Sequence, residues 1–190
     1  MFGGSEMAIR TAKLNRQTKE TDVSIELNID GTGKSSVRCD EQFLKHMLET
    51  FARYSSFDID MVAKGDNDHH LVEDVAIVLG SALREALGDT PVERIASAVV
   101  PMDDALVEVD LDIVDRPYAE IDCPDVLYHH FLRSFAMSSG ITLHVIVKRG
   151  FDDHHMVEAT FKALGTALRR ATTKRETVLS TKERPKVRRG

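Results

Sequence analysis

The chain has 190 residues, enough for one ordinary domain or two small ones. With 42% hydrophobic and 29% charged residues it has the balance of a folded protein rather than a disordered one, and no apolar run reaches the ~18–20 residues that span a bilayer. A net charge of −6 opposes general attraction to a polyanion, so any anion binding must be local. Cys39 and Cys123 lie outside any C-x-x-C pair and read as buried thiols. The opening Met1-Phe2-Gly3-Gly4-Ser5-Glu6 lacks the basic start and apolar stretch of a secretory signal, so a cytoplasmic protein is expected.

Strand-like alternation covers residues 9–15 and 23–29, followed by the turn signal Asp30-Gly31-Thr32-Gly33. Phe43-Leu44-Lys45-His46-Met47-Leu48 opens a stretch of helical apolar spacing that runs to about Tyr54. Alternation returns over residues 57–62, Gly65 punctuates it, and a second helix follows with Asp68 as its predicted N-cap. Gly88-Asp89-Thr90-Pro91 marks a junction. Beyond it, strands are predicted at 95–100 and 106–113, a helix from Leu127 to about Met137, a strand at 141–147, and a last helix capped by Asp153.

The second half copies the first. Asp68-His69-His70-Leu71-Val72-Glu73 returns as Asp153-His154-His155-Met156-Val157-Glu158, and Leu79-Gly80-Ser81-Ala82-Leu83-Arg84 returns as Leu164-Gly165-Thr166-Ala167-Leu168-Arg169 at the same offset along the chain. Two blocks in one register mean that a whole segment was duplicated. Each half reads strands, helix, strand, helix, an α+β pattern, with 1–90 as the first repeat half and 91–190 as the second, ending in a basic tail. A unit of about 90 residues with one helical layer needs its sister to cover its sheet. The expectation is therefore two pseudo-symmetric halves forming one body, a single domain.

On a helix, residues four apart project in nearly one direction, whereas adjacent ones differ by about 100°. His69 and Glu73 can share an ion, and so can His154 and Glu158; His70 and His155 point elsewhere and can serve a second ion at a boundary between repeats or subunits. Both copies keep two histidines and a glutamate while neighbours such as Asp74 and Ala159 diverge, which makes coincidence a poor account. The upstream helices add His46 ahead of His69 and His130 ahead of His154, at nearly equal separations. The candidate metal ligands are thus His46, His69, His70, Glu73, His130, His154, His155 and Glu158, four for each of two metals. Imidazole and carboxylate without thiolate suit Mn(II), Fe(II), Co(II) or Zn(II). His129 and His144 have no counterpart in the other copy and read as structural.

With these residues in view, the chain resembles the imidazoleglycerol-phosphate dehydratases. The likeness runs through Arg16-Gln17-Thr18-Lys19-Glu20-Thr21, Leu27-Asn28-Ile29-Asp30-Gly31-Thr32-Gly33, His46-Met47-Leu48, the first H-H-x-x-E, Pro101-Met102-Asp103-Asp104-Ala105-Leu106, Arg116-Pro117-Tyr118, the second H-H-x-x-E and Ser180-Thr181-Lys182. The doubled motif with R-P-Y between its copies is specific. The resemblance implies a duplicated unit like the second domain of ribosomal protein S5, and a large octahedral homo-oligomer, a 24-mer, with metals between subunits. It implies Mn2+, two per active site, on the same eight positions. It marks Glu20, His46, His70 and His155 as catalytic, and places Glu20, Arg94, Arg116, Ser180, Thr181 and Lys182 on the substrate, the arginines and lysine on its phosphate.

The implied reaction dehydrates imidazole glycerol phosphate to imidazole acetol phosphate in histidine biosynthesis. The substrate's imidazole is itself a metal ligand, so two ions favour its imidazolate form while hydroxide leaves the adjacent carbon. Glu20 is the candidate base for the proton on the next carbon, after which the enol tautomerises to the ketone. The chain departs from the family pattern in shortened segments before His69 and around 121–126, in Lys45 before His46, and in Glu183-Arg184-Pro185 after Lys182. A dinuclear metal hydrolase or a non-enzymatic metal-binding protein would use the same ligands. A nucleic-acid reading rests on the tail Lys182, Arg184, Lys186, Arg188 and Arg189, and the net charge opposes it.

Overall fold

The computed structural model describes residues 9–179. The first half runs β1 (Thr11–Gln17), β2 (Thr21–Asn28), β3 (Ser35–Cys39), α1 (Gln42–Ser55), β4 (Asp58–Gly65) and α2 (Asp68–Leu87). The second repeats that order as β5 (Ile95–Met102), β6 (Ala105–Ile113), β7 (Tyr118–Ile121), α3 (Val126–Ser139), β8 (Ile141–Arg149) and α4 (Asp153–Ala171). Each half builds its own four-stranded sheet, ordered β1-β2-β4-β3 and β5-β6-β8-β7, so the α+β duplication is present in topology as well as in sequence. Pairing is antiparallel except at the edges, where β3 runs parallel to β4 and β7 to β8.

Alternation makes the inner faces. Val23, Ile25 and Leu27 of β2 meet Ile59, Met61 and Ala63 of β4 across the first sheet, and Val107, Val109 and Leu111 of β6 join Ile141, Leu143 and Val145 of β8 in the second; all are buried. The short edge strands β3 and β7 escape prediction because four or five residues carry too little alternation to register. The helix starts also differ from expectation. The N-caps are Asn67, whose side chain accepts from the His70 N–H, and Asp152, which accepts from the His154 N–H. Asp68 and Asp153 are instead the first helical residues, where a carboxylate still favours the positive end of the helix dipole.

The helices lie between the two sheets and pair across the halves: α1 packs on α4, and α2 on α3. The retained glycines explain why the second sequence block survived in both copies. A Cβ on Gly80 would come within 2.7 Å of the Phe135 carbonyl of α3, and one on Gly165 within 3.0 Å of the Phe51 carbonyl of α1. Each glycine therefore permits one inter-half helix crossing. Phe51, Phe131, Phe135 and Phe161 fill the space around those crossings and are fully buried, each contributing ~1.5–3 kcal/mol of hydrophobic stabilisation.

Candidate active site

The exchange of helix partners decides which ligand candidates meet. His46 on α1 turns to the other half rather than to His69; its Nε2 lies 3.3 Å from Oε2 of Glu158 on α4, and His154 Nε2 lies 3.6 Å from that same oxygen. On the opposite flank, His69 of α2 faces His130 of α3 with ring centroids 5.7 Å apart, and Glu73 stands exposed one turn beyond His69. Each upstream histidine thus serves the other half's H-H-x-x-E.

The two flanks are not equivalent. Glu158 is buried and its Oε1 lies 2.9 Å from Lys162 Nζ. Burial opposes its charged form, but the Lys162 ammonium and then His46 outweigh that and hold the carboxyl below its ordinary pKa. At the matching place in the first half stands Ile77, which offers Glu73 no cation.

The second histidine of each pair turns away from these clusters. His155 Nδ1 is 2.6 Å from Asp104 Oδ1, and Asp104 also accepts the N–H groups of Phe151 and Asp152. His70 Nδ1 is 3.0 Å from Asp66 Oδ1, with Glu20 Oε2 at 3.8 Å. The hydrogen bonds to Asp104 and Asp66 raise the pKa of His155 and His70 respectively. A histidine tied down through Nδ1 has its Nε2 fixed in direction, the usual arrangement of an oriented ligand; Nε2 of His155 lies 3.6 Å from Asp103 Oδ2. Asp104 and Asp66 were not among the site candidates. Aligning β2 with β6 would have found the former, since Val23, Ile25 and Leu27 match Val107, Val109 and Leu111 in a single register, which sets Glu20 against Asp104.

Among the described residues, no three His, Cys, Asp or Glu side chains are set to hold a metal ion. The donor chemistry still fits a divalent cation: imidazoles and carboxylates gather at two flanks, and His70 and His155 are each oriented through Nδ1 by an aspartate.

Glu20 sits in the turn between β1 and β2, with its side chain 56% exposed and beside His70. Arg116, in the loop before β7, is exposed, and its guanidinium makes no hydrogen bond or ion pair among the described residues. Arg94 is engaged: Nε lies 2.6 Å from Asp112 Oδ1 and Nη1 donates to the Leu179 carbonyl at 2.8 Å. It thereby holds the residue from which the Ser180-Thr181-Lys182 segment departs, although those three residues lie outside the described ones. His144 rests against Tyr118 with ring centroids 5.5 Å apart, away from the paired helices.

Comparison with known proteins bears on this geometry. Residues 40–168 match the family model described as imidazoleglycerol-phosphate dehydratase. The chain is 46% identical over 190 aligned residues to the imidazoleglycerol-phosphate dehydratase of Acetivibrio thermocellus, covering 91% of this chain and 97% of that one. It is 47% identical to that of Methanothermobacter thermautotrophicus over 179 residues, 87% of this chain and 92% of the other. Among solved structures, IGPD from Pyrococcus furiosus in complex with (S)-C348 superposes with a TM-score of 0.79 at 41% identity, covering 88% of this chain and 98% of that one. The Staphylococcus aureus enzyme gives 0.77 at 31% identity, covering 87% and 99%. The chain therefore belongs to the imidazoleglycerol-phosphate dehydratase family, carbon–oxygen hydro-lyases of histidine biosynthesis.

Proposed function

We propose that this hydro-lyase works with two divalent metal ions, manganese foremost, and with Glu20 as its acid/base. His46, His154 and Glu158 would supply donors on one flank, and His69, His130 and Glu73 on the other. His70 and His155 would complete the sets through their Nε2 atoms. The observation that carries the reading is the crossing of α1 to α4 and α2 to α3, which brings each upstream histidine to the other half's motif.

The ions, when bound, lend Lewis acidity to the substrate's imidazole and stabilise the charge released as hydroxide departs. This chain's own residues do the rest. Arg116, exposed and unengaged among the described residues, offers forked donors to the phosphate, joined by Ser180, Thr181 and Lys182, while Arg94 anchors the segment that carries those three. Glu20 takes the proton from the carbon next to the one that loses hydroxide. The resulting enol gains a proton on carbon and becomes the ketone, so the net change is loss of one water.

Phe151, 94% exposed and shortly before His154, and the exposed Ile95, Val99, Tyr118 and Ile146 of the second half support a homo-oligomer with shared sites, of the octahedral 24-mer kind that the family resemblance implies. No helix among the described residues is long and apolar enough to cross a membrane, which accords with cytoplasmic biosynthesis.

Protein stripped of metal and reloaded with Mn(II) should convert imidazole glycerol phosphate, and the stripped protein should not. A folded, loaded and assembled sample without turnover would overturn the metal assignment; so would full turnover by stripped protein.

A further inference from the structure

The turn that carries Glu20 is fastened to α2 by hydrogen bonds whose direction is fixed by one buried carboxylate. Asp74, 8% exposed on α2, accepts from the Thr21 hydroxyl and from Arg16 Nε at 2.9 Å. A carboxylate paired with a guanidinium only accepts, so the single hydroxyl hydrogen of Thr21 is spent on Asp74. Thr18 Oγ1, 3.0 Å from Thr21 Oγ1, must then donate to it. That leaves the Thr18 lone pairs to accept the backbone N–H groups of Glu20 at 3.1 Å and Thr21 at 3.0 Å. From the other side, the Glu20 carbonyl receives the Asp66 N–H at 3.0 Å. The backbone of Glu20 is thus held on both sides, while its carboxylate accepts no hydrogen bond among the described residues.

The duplicated half lacks this device. At the places of Thr21 and Asp74 it has Ala105 and Ala159, both buried. Both members of the polar pair are replaced together, and in that half the turn's acid, Asp104, is saturated by two backbone N–H groups and His155 instead. An apolar pair is therefore sufficient for packing at this point of the fold. The polar pair has work beyond packing, and it occurs only where the turn's carboxylate accepts no hydrogen bond among the described residues.

We infer that Asp74 and Thr21 are positioning residues for the reaction: they hold the Glu20 turn so that its carboxylate meets the carbon-bound proton. The inference rests on Glu20 being the base. A misplacement of about 1 Å at a reacting group can cost on the order of 100-fold in rate, so loss of the tether should slow proton abstraction without loosening substrate binding.

The test uses the assembled, Mn(II)-loaded enzyme. Thr21→Ala with Asp74→Ala installs the second half's own pair. The double variant should keep its melting temperature and metal content, lose roughly 10- to 100-fold in kcat with KM nearly unchanged, and show a larger isotope effect with substrate deuterated at the carbon that gives up its proton. Thr21→Val should behave similarly, and Thr21→Ser, which restores the hydroxyl, should recover most of what Thr21→Val loses. Should the double variant fail to fold, the Val and Ser variants decide alone: equal turnover in both overturns the tether. A folded, loaded double variant with unchanged kcat, or with a loss confined to KM, overturns it too. Glu20→Gln separates the two failures. If it is inactive while the double variant is fully active, the tether falls and the base stands; if Glu20→Gln is fully active, both fall.

Discussion

Glu20 and Asp104 occupy matching turns in the two halves, each beside the second histidine of an H-H pair, and the protein holds them in opposite ways. Asp104 has its carboxylate saturated, by Phe151, Asp152 and His155, and hydrogen bonding from His155 first and the two amides next holds it well below the usual carboxylate range. Such a group orients a histidine and is a poor proton acceptor. Glu20 has its backbone pinned and its side chain 56% exposed, 3.8 Å from His70 Nδ1, which suits the proposed base. Duplication supplied the same H-H-x-x-E motif twice; divergence of the supporting residues left one half with an acid bonded to its histidine and the other with an acid that accepts no hydrogen bond among the described residues.

Glu20→Gln breaks the comparison at its most sensitive point. Turnover should fall about 10²- to 10⁴-fold, the range for removal of a general base, while metal analysis shows unchanged content. The reciprocal change, Asp104→Asn, should act on the metal rather than the proton. Apparent metal affinity, measured by chelator competition, should fall about 10- to 100-fold, as on loss of an orienting partner, because the amide no longer fixes the His155 ring. If Asp104→Asn instead abolished turnover at full metal loading, the division of roles would be wrong.

The flanks offer a gentler test. Lys162→Ile gives the second flank the first flank's residue, and removal of this hydrogen-bonded cation from buried Glu158 should cost the metal-free protein about 1–3 kcal/mol, read by urea denaturation. Added Mn(II) should recover more stability in this variant than in the parent, since the ion no longer competes with an ammonium.

The smallest effect concerns the seam between the halves. Arg10 pairs with Asp30 at 2.6 Å and donates to the Thr172 carbonyl at 2.8 Å, while Lys174 Nζ reaches Asp30 at 3.1 Å. The Arg10 hydrogen bond is the main cause of Asp30's depressed pKa, against a smaller cost of burial. A carboxyl whose folded pKa lies below the unfolded value of about 3.9 stabilises at higher pH and ceases to do so as pH falls through the folded value. Relative to Asp30→Asn, the parent should therefore hold an advantage of about 1 kcal/mol that is complete above about pH 5 and shrinks below about pH 4, as followed by urea titrations across that range.

Much of this was legible in the sequence, because a repeat reads itself. The constant offset between the halves paired the motifs, the helical period put His69 over Glu73 and His154 over Glu158, and the strand period gave the two buried faces. Less was legible where partners are distant in the chain. No periodicity announces that Asp104 binds His155 across 51 residues, or that Thr21 is tied to Asp74 across 53 residues. The edge strands β3 and β7 were lost for a different reason, being too short to display a period.

By itself the sequence determined the duplicated α+β unit, the doubled H-H-x-x-E motif and the family, since these follow from local spacing and from self-similarity along one dimension. Tertiary structure decided the pairing. Two glycines let α1 lie on α4 and α2 on α3, so each upstream histidine joins the opposite half's glutamate or histidine. Helix crossings are set by side-chain packing between segments that never meet in the chain, and that is where the neighbours of each upstream histidine were fixed.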